Sequence, residues 1–148
     1  MKVVVQRVQQ AAVHVHDEAI ASINQGLLVL LGIKQGDTKA DTDWMIQKLL
    51  KMRIFDDEDG DMNDSVTDIG GGVLLVPNFT LYGDASKGNR PGFSAAESPD
   101  KARKLYSYMV EKMEASTDLP VESGKFGAYM DVSLTNDGPV TIVLESNS

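Results

Sequence analysis

Two histidines, His14 and His16, and no cysteine are what this 148-residue chain offers for side-chain chemistry of the usual kinds. Two residues apart on a strand, the imidazoles would share a face, which is the spacing of a two-ligand metal site. No cluster of further ligands accompanies them, so they read as a polar strand face and no metal is expected. The lack of cysteine excludes a thiol nucleophile, a thiolate zinc site and a disulfide framework, and it suits a reducing cytoplasm. A Ser–His–Asp triad would have to use His14 or His16, and neither stands among other catalytic signals. G-x-S-x-G, P-loop and strand-following G-x-G-x-x-G patterns are absent. The run Asp56-Asp57-Glu58-Asp59-Gly60-Asp61 invites a calcium loop. Counted from Asp57, however, the sixth position is Met62 where an EF-hand needs glycine, and no Glu stands at the twelfth. It reads as a solvated turn. If the chain is an enzyme, backbone groups or the substrate itself must contribute to catalysis, and no cofactor is called for.

Two segments hold residues that packing does not demand. One runs from Pro77-Asn78-Phe79-Thr80-Leu81-Tyr82-Gly83-Asp84 to Lys87-Gly88-Asn89-Arg90-Pro91-Gly92-Phe93-Ser94. The other is Leu134-Thr135-Asn136-Asp137-Gly138-Pro139-Val140-Thr141. Structurally they are a strand end with a turn-rich loop, and a hairpin turn; spacing alone does not separate site from scaffold. Charge adds a second signal. The chain has 14 basic and 22 acidic residues, net −8, which argues against a dedicated nucleic-acid coat. Yet residues 86–104 carry Lys87, Arg90, Lys101, Arg103 and Lys104 against only Glu97 and Asp100. A basic segment on an acidic body is either a small phosphate footprint or a solvated loop and helix face.

The elements that must position these residues follow from patterning. With 42% hydrophobic and 24% charged residues, the composition is that of one globular domain of ordinary size. The apolar run over 26–33 is too short for a membrane span, and the first residues lack a secretory signal. That run, bounded by glycines, predicts a strand buried on both faces. Strands are also expected over 2–8, and over 12–17 and 19–23 about a turn at Asp17-Glu18. Asp37 or Thr38 caps a helix running to about Met52, with Met45, Leu49 and Met52 on one face. Arg53-Ile54-Phe55 predicts a short strand, and 73–81 an apolar strand interrupted by Pro77. Ser98 as N-cap, Pro99 at the first helical position and Asp100 in the first turn open a second helix. Its Ala102, Leu105, Tyr106, Met109, Val110 and Met113 form one apolar stripe for packing on a sheet. Residues 129–135 and 140–145 alternate about Asn136-Asp137-Gly138, predicting a C-terminal hairpin. Many strands with two helices give an α/β or α+β layered domain.

The chain closely resembles the D-aminoacyl-tRNA deacylases, essentially end to end. The resemblance is carried by Gln6-Arg7-Val8, the 26–32 run, Arg53-Ile54-Phe55, Met62-Asn63, Gly88-Asn89-Arg90-Pro91, Phe93-Ser94 and Ser98-Pro99. The two family signatures are Phe79-Thr80-Leu81 and Asn136-Asp137-Gly138-Pro139-Val140-Thr141. The resemblance implies a homodimer of single-domain, three-layer β/β/α subunits, α/β in class with mainly antiparallel strands and two main helices. It implies a cytoplasmic hydrolase that cleaves the ester joining a D-amino acid to tRNA, a proofreading step in translation, and that also removes glycine mischarged on tRNA-Ala. In such enzymes the Gly-Pro pair, here Gly138-Pro139, is cis and reaches into the partner subunit's pocket, where main-chain atoms exclude an L side chain. Arg7 would stand beside that motif and Met130 would line the pocket. The backbone around Phe79 and Thr80 would hold substrate and oxyanion, and the terminal adenosine's 2′-hydroxyl would assist the attack of water. Asn78 would touch the substrate, and Lys87 and Arg90 the tRNA.

One departure stands out. The family usually has Ser-Gln before Phe-Thr-Leu, where this chain has Pro77-Asn78. Proline removes a hydroxyl and a backbone N–H, and asparagine is one methylene shorter than glutamine. A related branch with proline there edits L-alanyl-tRNA, but its Gly-Pro element differs from the one here. The rival expectations are therefore an L-alanyl editing variant, and a nucleic-acid-binding dimer that keeps the fold without catalysis.

Overall fold

A computed structural model describes residues 1–146. Its frame is a six-stranded mixed sheet in the order β2-β1-β3-β6-β7, with β8 on β1. The strands are β1 (Lys2–Val15), β2 (Glu18–Ile23), β3 (Gly26–Gly32), β6 (Gly72–Pro77), β7 (Val121–Ser123) and β8 (Asp131–Glu145). Between β3 and β6 lie helix α1 (Lys39–Lys51), the small ribbon β4 (Phe55–Asp56) and β5 (Met62–Asp64), and the single turn α2 (Val66–Ile69). Helix α3 (Pro99–Ser116) precedes β7. Strand β1 is antiparallel to β2, β3 and β8, whereas β3–β6 and β6–β7 are parallel.

The expected strand buried on both faces is β3, and its alternation explains the layering. Leu27, Val29 and Leu31 join one core with Met45 and Leu49 of α1 and Met109 and Met113 of α3. Leu28 faces the other way, into a second core with Leu74 and Val76 of β6, Val8 and Val13 of β1, and Ala21 and Ile23 of β2. Helices therefore cover one side of β3 and β6, and the far half of β1 with β2 covers the other. Burying each such aliphatic side chain is worth about 1.5–3 kcal/mol. Both helices start as expected. The Thr38 N–H donates to Asp41 Oδ2 (2.8 Å) at the head of α1, and Pro99 opens α3, whose Ala102, Tyr106, Met109 and Met113 are buried. At the bottom of the sheet Gly26 pairs with Gly72. A Cβ on Gly26 would run into the Gly72 carbonyl, so close strand approach requires glycine there.

Five local expectations differ from the structure. Residues 2–15 form one strand rather than two, because the ladder with β8 continues past the exposed Gln9 and Gln10. The turn falls at His16 and Asp17, both at positive φ, so His16 has left the strand and does not share a face with His14. The strand expected over 73–81 ends at Pro77 and gives way to a 3-10 turn, Phe79–Tyr82, while the one at 53–55 begins only at Phe55. The C-terminal hairpin is instead one long strand: His14 pairs with Asp131 at one end of β1 and Lys2 with Glu145 at the other. Both halves find a better partner in β1 than in each other, and the expected turn survives as a bulge opposite Arg7. Among the described residues, no helix is long and apolar enough to cross a membrane.

Candidate active site

The site begins where β6 ends. Pro77 stands opposite Leu31 of β3 and has no N–H to offer. The next N–H, of Asn78, donates to the Leu31 carbonyl (2.7 Å) and anchors the chain as it leaves the sheet. The 3-10 turn then closes through Leu81 N–H to Asn78 O (3.3 Å) and Gly83 N–H to Thr80 O (2.9 Å). The first N–H groups of such a turn, those of Phe79 and Thr80, have no acceptor within it. The Thr80 hydroxyl donates to Asn78 Oδ1 (2.5 Å), so the two side chains hold each other. Phe79 is 59% exposed, and its ring partner is the edge of Phe93, at 5.2 Å between centroids and an interplanar angle of 66°.

Two clefts open on either side of Pro77, Asn78 and Phe79. One, of about 470 Å³, is walled by Leu31, Ile33, Phe93, Pro99, Arg103 and Phe126, with the Arg103 guanidinium 4.9 Å above the Phe126 ring. The other, of about 510 Å³, is walled by Leu30, Thr80, Ala128, Tyr129, Met130 and Val132. Tyr129 is 90% exposed at its rim. Asn78, Phe79, Thr80 and Met130 thus come together around one opening. Apolar walls with a few N–H donors suit a neutral acyl group whose carbonyl oxygen becomes negative during attack.

Arg7, Gly138 and Pro139 form a second group. Arg7 is 7% exposed. Its Nε donates to the Asp137 carbonyl (2.9 Å) and Nη1 to the Ile54 carbonyl (2.8 Å), with Asp56 and Asp137 carboxylates at 3.4 and 3.6 Å. Asn136 fixes the other side of the bulge. Its Oδ1 accepts from Val140 N–H (2.8 Å), and its Nδ2 donates to Val140 O (3.1 Å) and Gln6 Oε1 (3.1 Å). Between these clamps the Gly138–Pro139 peptide bond is cis.

The two groups do not meet within one chain. Arg7 pairs with Leu27, at the start of β3, and Asn78 is tied to Leu31, near its end. Four residues of strand separate them by about 13 Å. Lys87 and Arg90 sit on an exposed loop closed by the Asp84–Gly92 bridge, and neither is among the residues lining these two clefts. The sequence alone does not single out Arg103, Phe126, Ala128 and Tyr129 as site residues. Arg103 belongs to the basic segment, but the others carry no local signal, since an aromatic residue on a strand or turn normally points inward.

Comparison with known proteins identifies the relatives of this chain. The family model described as D-Tyr-tRNA(Tyr) deacylase matches residues 4–145. A D-aminoacyl-tRNA deacylase of Thermosipho melanesiensis is 52% identical over 146 residues, covering 99% of this chain and 97% of the relative. One from Chlorobaculum parvum is 54% identical, covering 99% and 98%. A solved structure of a c-Myc DNA Unwinding Element Binding Protein superposes with a TM-score of 0.94 at 43% identity, covering 100% of both chains. That of a probable eukaryotic D-amino acid tRNA deacylase gives 0.80 over 97% of each at 19% identity, which speaks for the fold alone.

Proposed function

Because the chain belongs to the D-aminoacyl-tRNA deacylase family, we propose that it hydrolyses the ester between a D-amino acid and the 3′ end of tRNA, proofreading chirality where tRNA is charged, in the cytoplasm. The observation that carries this reading is the pair of Phe79 and Thr80 N–H groups, unspent within their turn, on residues that line a cleft. Water adds to the ester carbonyl there, and the N–H groups stabilise the oxygen as it gains charge. One well-aimed donor of this kind supplies roughly 3–4 kcal/mol. The adenosine 2′-hydroxyl assists the attack, and the 3′-oxygen leaves with a proton. An ester is labile enough that this backbone-and-substrate chemistry suffices without a side-chain base.

The chirality filter is a second copy of the chain. Gly138 and Pro139 lie in the mid-strand bulge opposite Arg7, about four strand residues from the Leu31 anchor of their own cleft, which supports their insertion into the pocket of a partner in a homodimer. Main-chain atoms there bar an L side chain, and glycine, having none, passes. The bulge itself requires glycine at 138, because at its positive φ a Cβ would lie 2.5 Å from the Val140 nitrogen. Arg7 secures the bulge, Met130 lines the receiving pocket, Asn78 holds substrate with its amide fixed by Thr80, and Lys87 and Arg90 reach the tRNA. The Asn78–Thr80 hydrogen bond gives the shorter side chain a defined position, so the Pro77-Asn78 departure leaves the reading intact.

One assay tests this: D-Tyr-tRNA, L-Tyr-tRNA, Gly-tRNA-Ala and L-Ala-tRNA side by side, with D-Tyr-tRNA ending in 2′-deoxyadenosine. Rapid loss of the D-Tyr and Gly esters, sparing of both L esters and slow turnover of the deoxy substrate are expected. Hydrolysis of L-Ala-tRNA alone would instead mark an L-alanyl editor. Binding of tRNA without hydrolysis would mark a nucleic-acid-binding protein, the class to which the name of the 43%-identical DNA Unwinding Element Binding Protein points.

A further inference from the structure

A third groove, of about 300 Å³, runs between the head of α1 and the exposed face of α3. Lys39 enters it from α1; Lys101, Lys104, Leu105 and Tyr108 line it from α3 at helical spacings of three and four. All three lysines are exposed, and none of the ion pairs among the described residues uses them. Lys39 rests over the Tyr108 ring at 4.9 Å rather than on a carboxylate, and the Tyr108 hydroxyl donates to Asp43 (2.7 Å). The acidic groups at the groove have other partners, and for Glu97 hydrogen bonds from Ser98 and Gly36 lower its carboxyl pKa more than the nearby Lys101 charge does. Asp37 pairs with the Met1 amine at 2.6 Å, and Glu97 accepts from the Gly36 N–H (3.1 Å) and the Ser98 N–H (2.9 Å). Glu97 also lines the 470 Å³ cleft beside Asn78 and Phe79, so groove and cleft are neighbours that share that residue as a wall.

On a chain of net charge −8, three lysines converging on a groove beside the 470 Å³ cleft, which lies across Pro77, Asn78 and Phe79 from the 510 Å³ cleft, are a local exception. We propose that this groove carries the phosphate backbone of the single-stranded 3′ end of the substrate RNA, with Lys39, Lys101 and Lys104 each on a phosphate. The inference rests on the deacylase reading for the identity of the RNA. It assigns the tRNA track to the α1–α3 face, which the exposed loop with Lys87 and Arg90 alone does not. Phosphate contacts of this kind fix the direction of the strand and are indifferent to base sequence.

The test is binding of uncharged tRNA to the full chain as a function of salt, which does not depend on hydrolysis. The variant Lys39→Gln/Lys101→Gln/Lys104→Gln is compared with Lys48→Gln/Lys51→Gln/Lys112→Gln, which removes equal charge away from the groove. Three contacts at about 0.7 each in a single strand predict that the groove variant's log–log salt slope is smaller by about 2. Its affinity at low salt should be about tenfold weaker, while the control keeps the parental slope. Equal slopes for the groove variant and parent overturn the inference, as does an equal loss in the control. If the groove variant loses its slope but the parent fails to hydrolyse any D-aminoacyl ester, the RNA track stands and the deacylase reading falls.

Discussion

Residue by residue, the proposed chemistry assigns the main chain more than it assigns side chains, and Phe79 and Thr80 separate the two contributions. The Thr80 hydroxyl is occupied with Asn78 and has no base within its motif to activate it. Thr80→Ala should therefore keep D-Tyr-tRNA turnover within about tenfold of the parent, since only the orientation of Asn78 is lost. Phe79→Pro removes one proposed oxyanion donor at a turn position that tolerates proline, and kcat should fall by about 100- to 1,000-fold. The reverse ranking, or a trapped aminoacyl-Thr80, would make the hydroxyl the nucleophile. Tyr106 acts on stability instead. Burial pushes its phenol from the ordinary 10.0 up to about 12, and its hydroxyl donates to the Gly124 carbonyl (2.7 Å) behind the clefts. A raised pKa stabilises the fold fully below pH 10.0 and progressively less as pH rises towards 12. The unfolding free energy of the parent should thus drop by about 2–3 kcal/mol more than that of Tyr106→Phe across this window. Parallel pH profiles for the two proteins would contradict it.

Among the elements, β3 and β8 show what local pattern can and cannot reveal. The 26–32 run reads directly as a strand covered on both faces, and Ser98-Pro99 with its apolar stripe reads directly as α3. The single strand β8 does not: its Asn136-Asp137-Gly138 has turn composition, and only the partner strand β1, more than a hundred residues away, converts the turn into a bulge. The 3-10 turn after Pro77 is hidden for a similar reason, because proline announces the end of a strand without specifying the next element. The same partner dependence sets the glycine at the base of the sheet. Gly26→Ala should cost about 1–3 kcal/mol through collision with Gly72 in the parallel ladder, lowering Tm by a few degrees per kcal/mol. An unchanged Tm would mean that β3 and β6 can separate at that end without penalty.

For the whole molecule, the distance between the clefts and the Gly138–Pro139 bulge is the consequence that matters most. Phe79, Thr80, Gly138 and Pro139 are recognisable as motifs in the sequence, but nothing local in the chain reveals which of them share a chamber. That depends on the β1–β3 register and, in the proposed dimer, on a second copy. In a closed two-fold dimer, each working site would combine the cleft of one subunit with the bulge of the other. This makes subunit mixing the most direct measurement. Phe79→Pro damages only the cleft side; Gly138→Ala drives a Cβ against Val140 and deforms the bulge that, in the proposed dimer, fills the partner's pocket, so substrate is obstructed there and each protein alone should be nearly inactive on D-Tyr-tRNA. After the two are mixed in equal amounts and allowed to exchange subunits, half the dimers are hybrids, and each hybrid holds one site with both lesions and one with neither. Recovery of about a quarter of the parental rate is therefore predicted. Mixed protein that exchanges subunits yet stays as inactive as its components would contradict the account, because the cleft and bulge would then belong to the same chain or to no common site.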